Sequence, residues 1–284
     1  MIIDGRATSA KLLATLAEKV TAAKTRGIVP CMAVILVGDD PASLAYIKQK
    51  QKAADTIGAS VIFDHQSSTI SKDALANLIK KYNNDPQVHG LIVQRPIPTQ
   101  IGDVSKLLDC ISPAKDIDGF LPNTSYIVPV SSAVGECLKE IYRTETKEPL
   151  ASNESSYLSW IREKNVVVIG RGTTAGGPIY RYFQSLNCAT SQISSQTPDP
   201  ELVMKQADVI VSCVGKPHIV TAQNSKAGAI LISVGIWRDD AGKLHGDYEV
   251  SEIEHHVSWY TPTPGGVGPI NVACLMQNLL KAVE

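Results

Sequence analysis

Hydrophobic and polar positions follow two different spacing patterns at the start of the chain. Between residues 8 and 26 the apolar positions recur three or four residues apart, at Leu12, Leu13, Leu16 and Val20. This spacing predicts an amphipathic helix that ends at Gly27. The next segment, "CMAVILVG", is continuously apolar, which is typical of a strand buried on both faces.

The same alternation of helices and buried strands continues for about a hundred residues. After the turn "DDPAS" we predict a helix that carries Tyr46, and then the strand "SVIFDH". A helix through residues 75–82 and the strand "GLIVQRPIP" follow. Alternation of this kind predicts a parallel sheet that is covered by helices on both faces.

A second series begins with the strand and glycine-rich turn "KNVVVIGRGTTAGGP". It continues with a helix near residues 177–186 and the strands "CATSQIS", "ADVIVSCVG" and "AGAILISVGI". A helix around residues 133–142 and a polar segment at 144–160 separate the two series. We interpret the polar segment as a surface insertion, not as a core element. The last predicted helix covers residues 270–283.

Composition narrows the classes of function. The 284 residues are 44% hydrophobic and carry a net charge of −1, so no global field favours nucleic acid or an acidic membrane. The start "MIIDGRATSA" lacks the features of a signal peptide, and no apolar run reaches transmembrane length. No two cysteines are closely spaced, and we expect reduced thiols packed in cores at Cys31, Cys110, Cys137, Cys188, Cys213 and Cys274. These features predict a soluble, cytoplasmic α/β protein with no nucleic-acid or membrane partner.

The glycine-rich turn has the spacing of a dinucleotide-binding loop. Gly170, Gly172 and Gly176 follow an apolar strand and precede a helix, so the backbone can approach a pyrophosphate at the helix N-terminus. The strand–loop–helix context favours this interpretation over a plain tight turn, which remains the alternative.

The end of the next strand bears on the choice of nucleotide. NAD sites often have a carboxylate there for the ribose diol, but "ISSQTPD" offers Ser194, Ser195 and Thr197 and no acid before Asp199. Arg171 lies in the loop itself, where a guanidinium can bind a 2′-phosphate. The pattern therefore favours NADP over NAD.

The stretch "SLAYIKQKQKAAD" places three lysines on one predicted helix. Residues four apart share a helix face, so Tyr46 and Lys50 are neighbours, while Lys48 and Lys52 form a separate pair. Lys48 and Lys52 are most simply solvated charges. Lys50 follows an aromatic hydroxyl just after a strand end, where a lysine with a lowered pKa acts as an acid or a base. Local sequence leaves both interpretations of Lys50 open.

Taken together, the blocks resemble the bifunctional methylenetetrahydrofolate dehydrogenase/cyclohydrolase family (FolD type). The blocks, which occur in the family's order, are "IIDGRATS", "AVILVGDDPASLAYIKQKQKAADTIGA", "GLIVQRPIP", "SPAKDIDGFLPNT", "VVVIGRGTTAGGP" and "YTPTPGGVGPINVACLMQN". Several ordered motifs over nearly the whole chain are far more specific than a glycine pattern alone.

This resemblance implies a two-domain α/β fold. A tetrahydrofolate-binding catalytic domain would comprise residues 1–125 and 270–284, so that the last helix returns to it, and a Rossmann NAD(P)-binding domain would comprise residues 126–269. It implies oxidation of 5,10-methylenetetrahydrofolate with NADP⁺ (NAD being possible) and hydrolysis of the 5,10-methenyl product to 10-formyltetrahydrofolate. It also implies a homodimer, and no metal.

The resemblance further implies roles for individual residues. Lys50 would transfer the proton in hydrolysis, Tyr46 would stack on the aminobenzoyl ring, Gln94 would hold the lysine and Asp118 would bind the pterin. The other implied substrate contacts are Pro264, Gly265 and Gly266. The implied cofactor contacts are Gly170, Arg171, Gly172, Thr173, Gly176, Ser195, Gly215 and Ile236.

Alternatives remain for these residues and for the activity. Asp118 could organise a turn, and Gln94 could be an ordinary polar residue at a strand end. The chain departs from the family pattern at Arg95, where the family has leucine, and at Ser233, where it has aspartate. An NAD-specific dehydrogenase and a binding protein without catalysis are therefore the alternative functions. A short-chain dehydrogenase, which also uses Tyr-x-x-x-Lys, would have its glycine loop before the tyrosine.

Overall fold

The computed structural model describes residues 1–147 and 154–284, which form two compact units. We call them by their main sheets. The three-stranded unit contains residues Ala10–Pro129 and Val272–Glu284, and the five-stranded unit contains Met1–Ser9 and Val130–Asn271. Both units are α/β in character, as the alternation of the sequence predicted.

The three-stranded unit is built on a parallel sheet. Its elements are α1 (Gly5–Thr25), β1 (Cys31–Val37), α2 (Pro41–Ile57), β2 (Ser60–Gln66), α3 (Lys72–Asn84), β3 (Gly90–Val93), α4 (Ser105–Leu108) and most of α10 (Val267–Lys281). The strand order is β2-β1-β3, and all pairs are parallel. The central strand β1 is buried along its whole length, as its continuous apolar sequence predicted.

Alternate residues of β1 belong to different hydrophobic clusters. Val34 and Leu36 belong to a cluster with Ile47 of α2 and Leu275 of α10. Ile35 and its neighbours two positions away belong to the opposite cluster, which includes residues of α3. Successive side chains of a strand point to opposite faces, so one apolar run supplies two cores. This arrangement fixes α2 on one face of the sheet, and the helix begins just after the carboxyl end of β1.

The five-stranded unit contains a second parallel sheet. Its elements are α5 (Pro129–Thr146), α6 (Glu154–Arg162), β4 (Asn165–Ile169), α7 (Gly176–Ser185), β5 (Ala189–Ile193), α8 (Pro200–Met204), β6 (Val209–Ser212), β7 (Ile230–Ser233), β8 (Trp237–Arg238), β9 (Leu244–His245), α9 (Val250–Ile253) and β10 (Trp259–Tyr260). The order in the large sheet is β10-β7-β6-β4-β5, while β8 and β9 form a separate antiparallel hairpin. The chain goes from β4 to one side and returns to β6 on the other, which makes a topological switch point where ligands bind in such sheets.

Two predictions about packing were wrong in part. The polar segment at 144–160 is not simply a surface insertion, because α6 buries Tyr157 and Ile161 in the core. These two residues are four apart and share a helix face, and Tyr157 stacks on Trp160. Residues 148–153 of that segment lie outside the described residues.

The prediction that all six cysteines are packed in cores was also wrong in part. All six are free thiols, but Cys110 is exposed and Cys213 is only half-buried, while the other four are buried as expected. Cys110 follows α4, which is four residues long and ends at the protein surface.

The first residues pack in the five-stranded unit. Ile2 forms a parallel bridge with Tyr260, and the Ile3 amide donates to the Tyr260 carbonyl at 2.9 Å. These backbone bonds explain why Met1–Ser9 groups with that unit, whereas the family resemblance implied a catalytic domain starting at residue 1. Among the described helices, none combines the length and the apolar character that crossing a membrane requires.

Candidate active site

Helix α2 carries the tyrosine–lysine pair, and both of its ends are firmly capped. The Asp40 carboxylate accepts a hydrogen bond from the Ser43 amide at 2.7 Å, and Pro41 occupies the first turn. Gly58 ends the helix in the left-handed conformation. The helix therefore starts immediately after β1 and presents its residues at a fixed register.

Lys50 is buried, in contrast to the two lysines beside it. Its side chain is 2% exposed, whereas Lys48 and Lys52 are exposed as predicted. The Lys50 Nζ donates to Gln94 Oε1 at 3.0 Å and lies 5.0 Å from the centre of the Tyr46 ring. The structure thus brings together three of the four residues proposed for catalysis, and it excludes the solvated interpretation of Lys50.

The surroundings of Lys50 lower the pKa of its ammonium group. Burial is the larger cause, because a charged amine loses its hydration in the protein interior. The negative charge of Asp118 opposes the shift. A lysine with a lowered pKa can exist as a neutral amine nearer to physiological pH, so it can accept a proton.

The turn around Asp118 is organised by a different aspartate. Asp116 is 3% exposed, and its carboxylate accepts from the Leu121 amide at 2.8 Å, while its carbonyl accepts from the Gly119 amide at 2.9 Å. Burial raises the pKa of the Asp116 carboxyl. Sequence reasoning missed Asp116 in this role, although the "KDIDG" segment contains both acids. Within the described residues no group donates a hydrogen bond to the Asp118 side chain, which is half-buried.

The loop between β4 and α7 is a close-packed glycine turn. Gly170 has a φ of +105°, a conformation that favours glycine. A Cβ atom at Gly176 would collide with the Gly170 carbonyl, so no larger residue fits there. At Gly172, by contrast, nothing within 4 Å would meet such an atom, so the outer side of the loop is open. The turn is therefore tight on its inner side and accessible to a ligand on its outer side.

Polar groups surround this loop at the switch point. Arg171 is exposed, and its Nη2 donates to Gln196 Oε1 at 3.4 Å. Ser195 in the turn after β5 and Thr173 in the turn before α7 are also exposed. The predicted cluster of an arginine and hydroxyls, without a carboxylate before Asp199, is thus assembled in space near the end of β5.

A buried carboxylate that the sequence analysis missed organises the loop after β6. Asp247 Oδ2 accepts from Ser212 Oγ at 2.6 Å and from the Val214 amide at 2.9 Å. Its Oδ1 accepts from the amides of Gly215 at 2.7 Å and Lys216 at 3.0 Å. Asp247 lies 35 residues from Ser212 in an irregular segment, so no spacing pattern marks it.

The same network includes one of the departures from the family pattern. Ser233 Oγ accepts from the Asp247 amide at 2.9 Å and donates to the Gly235 carbonyl at 3.1 Å. Gly215, a predicted cofactor residue, lies directly against the carbonyl of Ile236, another one, whose side chain is 58% exposed. The structure therefore brings Gly215 and Ile236 together at the edge of this loop.

The predicted loop Pro264, Gly265 and Gly266 lies in the five-stranded unit. The peptide bond before Pro264 is cis. Gly5 at the start of α1 packs so closely on the Gly266 carbonyl that a side chain at position 5 would collide with it. The Ser9 hydroxyl donates to the Pro269 carbonyl at 2.9 Å and ties the same two segments together.

Comparisons with known proteins match both halves of the chain. The model for the catalytic domain of tetrahydrofolate dehydrogenase/cyclohydrolase matches residues 3–118, and the model for its NAD(P)-binding domain matches residues 154–284. The chain is 39% identical over 285 residues to the bifunctional protein FolD of Albidiferax ferrireducens, covering 100% of this chain and 96% of that protein.

Solved structures of enzymes with these activities are also similar to this chain over its whole length. The bifunctional FolD methylenetetrahydrofolate dehydrogenase/cyclohydrolase from Campylobacter jejuni superposes with a TM-score of 0.90 at 33% identity, covering 100% of this chain and 98% of that one. The Trypanosoma brucei enzyme, solved with NADP cofactor and an inhibitor, has a TM-score of 0.87 at 29% identity, covering 100% and 97%.

Proposed function

The chain belongs to the tetrahydrofolate dehydrogenase/cyclohydrolase family, and on that premise we propose how its residues carry out the two reactions. It oxidises 5,10-methylenetetrahydrofolate with NADP⁺ and hydrolyses the resulting 5,10-methenyl cation to 10-formyltetrahydrofolate in one-carbon metabolism, which supplies purine biosynthesis. One observation supports this assignment above the others: a buried lysine, held by an amide, faces a carboxylate and has a lowered pKa.

Lys50 is the proton-transfer group of the hydrolysis. Water must lose a proton as it attacks the methenyl carbon, and the neutral Lys50 amine can accept that proton. The Gln94 oxygen at 3.0 Å fixes the amine, and the Gln94 amide nitrogen donates to the Arg95 carbonyl at 2.9 Å, which fixes the glutamine in turn. The amine is therefore positioned before substrate binds.

Tyr46 and Asp118 hold the folate. The Tyr46 ring already contacts Lys50, so a substrate ring stacked on it would lie within reach of the amine. The carboxylate of Asp118 can accept two hydrogen bonds, which suits the amino group and ring N–H of a pterin. Pro264, Gly265 and Gly266 are proposed as further backbone contacts to the substrate.

The five-stranded unit fits an NADP cofactor. Its glycine turn is open on the outer side at Gly172. The N-cap residue of α7, Ala175, makes no side-chain hydrogen bond to the helix. Arg171 lies beside hydroxyl and amide groups. We propose that Gly170, Gly172, Thr173 and Gly176 hold the pyrophosphate. Arg171 and Ser195 would hold the 2′-phosphate, and Gly215 and Ile236 would lie against the nicotinamide half. When bound, NADP⁺ supplies the acceptor for the hydride of the methylene bridge.

A paired assay tests the function. Purified protein mixed with 5,10-methylenetetrahydrofolate should reduce NADP⁺ faster than NAD⁺ at equal concentration, measured at the absorbance of the reduced nicotinamide. Faster reduction of NAD⁺ would favour the NAD-specific alternative. Absence of reduction with both nucleotides would favour the non-catalytic alternative.

Replacing Arg171 by alanine should weaken NADP⁺ and spare NAD⁺. A bidentate guanidinium–phosphate contact is lost, and we expect KM for NADP⁺ to rise about 10- to 100-fold, with little change for NAD⁺. Arg26→Ala, which removes an exposed arginine just after α1, is the matched control. Equal losses for the two nucleotides would refute 2′-phosphate recognition by Arg171.

We also propose that the protein acts as a homodimer in the cytoplasm, without nucleic-acid or membrane partners. The low net charge supports the absence of nucleic-acid and membrane partners, and the six free thiols support the cytoplasm. The homodimer rests on the family resemblance. Sedimentation equilibrium would test it: a mass close to twice the 30.5 kDa of one chain is expected, and a mass of one chain would contradict it.

A further inference from the structure

Arg95, next to Gln94, is an anchored arginine whose guanidinium forms no ion pair within the described residues. Its backbone is fixed because its carbonyl accepts from the Gln94 amide at 2.9 Å and from the Ser43 hydroxyl at 3.3 Å. Its guanidinium lies over the Phe120 ring, 5.0 Å from the ring centre. Across residues 1–147 and 154–284 no carboxylate lies within 4 Å of this guanidinium, and no acceptor bonds to it.

Arg95 and Asp118 line the same concave space. Leu91, Ile92 and Val93 of β3 supply apolar lining, and Phe120 supplies an aromatic side. Two other acids line it as well: Asp116 accepts the backbone hydrogen bonds of its own turn, and Asp109, like Arg95 itself, is exposed.

Arg95 and Asp118 therefore have opposite charges in one cavity and do not pair with each other. The five N–H donors of Arg95 and the carboxylate of Asp118 are held apart by an ordered turn. A ligand that has both hydrogen-bond acceptors and hydrogen-bond donors would pair with the two groups at once. A 2-amino-4-oxopyrimidine edge has that order of atoms: an amino donor, a ring N–H donor and a carbonyl acceptor. Asp118 would accept from the two donors, and a neighbouring cation would donate to the carbonyl.

We propose that Arg95 is a specificity-determining residue that donates to the 4-oxo group of the pterin ring. This inference rests on the proposed function, in which Asp118 binds the same ring. Phe120, two residues after Asp118, places the guanidinium at the pterin end of the substrate and not at its glutamate end. The glutamate carboxylates, the other acceptors that an arginine would bind, are the competing target.

The test is a binding measurement that does not depend on turnover. Dissociation constants are measured by calorimetry for a reduced 2-amino-4-oxopteridine folate and for its 2,4-diamino counterpart, in which position 4 carries a donor. In the wild-type protein the 4-oxo compound should bind more tightly. In Arg95→Leu we expect the 4-oxo compound to weaken about 10- to 100-fold while the 2,4-diamino compound changes little, so that the preference falls by that factor. Arg95→Lys should retain part of the preference.

Two further arms identify the source of any effect. Lys48→Leu removes an exposed lysine of α2 and should bind both compounds as the wild type does. The 4-oxo compound without its glutamate should lose affinity in Arg95→Leu to the same extent. A loss that requires the glutamate, or a preference that is unchanged in Arg95→Leu, would overturn the proposal. If the wild-type protein reduces neither NADP⁺ nor NAD⁺ in the paired assay, the proposed function is refuted. The binding measurement tests the role of Arg95 separately.

Discussion

Replacing Lys50 by methionine should abolish hydrolysis of 5,10-methenyltetrahydrofolate while the protein remains folded. The side chain is 2% exposed and nearly all of its length is apolar, so methionine fills similar space without an amine. General acid–base groups contribute about 10²- to 10⁴-fold to rate, and we expect a loss in that range. The rate is measured from the disappearance of the methenyl absorbance at saturating substrate.

The same substitution should change how stability depends on pH. Burial lowers the pKa of Lys50 in the folded protein, so between that pKa and the ordinary lysine value the unfolded chain binds more protons. The free energy of unfolding of the wild type therefore gains a contribution as pH rises through this window. Lys50→Met lacks that contribution. Its stability relative to the wild type should be most favourable on the acid side and should fall as pH rises through this window.

A matched substitution separates the chemistry from the loss of a charge. Lys52→Met removes an exposed lysine of the same helix and should leave both hydrolysis and the pH dependence of unfolding unchanged. An unchanged rate of hydrolysis in Lys50→Met would refute the role assigned to Lys50. A normal rate with a changed stability profile would leave Lys50 as a buried structural residue.

The special position of Lys50 could be predicted because it follows from helix geometry. Four-residue spacing grouped it with Tyr46 and separated it from Lys48 and Lys52, and the structure has the same grouping. The two parallel sheets were also predictable, because continuous apolar strands between amphipathic helices rarely fold otherwise. Local sequence could not decide whether Lys50 was buried, because that depends on Gln94, 44 residues away, and on the packing of the sheet.

Residues that act by accepting backbone hydrogen bonds were not predictable. Asp116 and Asp247 each bind amides of loops whose course is set by tertiary packing. A lone aspartate in a loop gives no periodic signal, and the hairpin of β8 and β9 beside Asp247 has strands of two residues each. Arg95 was visible as a departure from the family pattern, but its contact with Phe120 depends on the turn that Asp116 forms.

Asp247→Asn should destabilise the five-stranded unit and weaken NADP⁺ binding. The carboxylate accepts four hydrogen bonds, and an amide has one acceptor oxygen in place of two. If the amide nitrogen faces Ser212 and Val214, the serine hydroxyl can rotate to accept from it, but the half-buried Val214 amide loses its acceptor. The free energy of unfolding should therefore fall by about 2–4 kcal/mol.

The substitution should also weaken binding of the cofactor, because Asp247 fixes the amides of Gly215 and Lys216 in a loop predicted to contact nicotinamide. We expect at least a ten-fold weaker dissociation constant for NADP⁺, measured by fluorescence titration at a temperature where the variant is folded. Asp199→Asn is the matched control: this exposed residue has a φ of +43°, which asparagine tolerates, and makes no side-chain cap to α8. Its stability should stay within about 0.5 kcal/mol of the wild type. If the free energy of unfolding of Asp247→Asn were equally close to that of the wild type, the four hydrogen bonds would not hold the loop. Weak NADP⁺ binding in a fully stable variant would instead give Asp247 a direct role in the site.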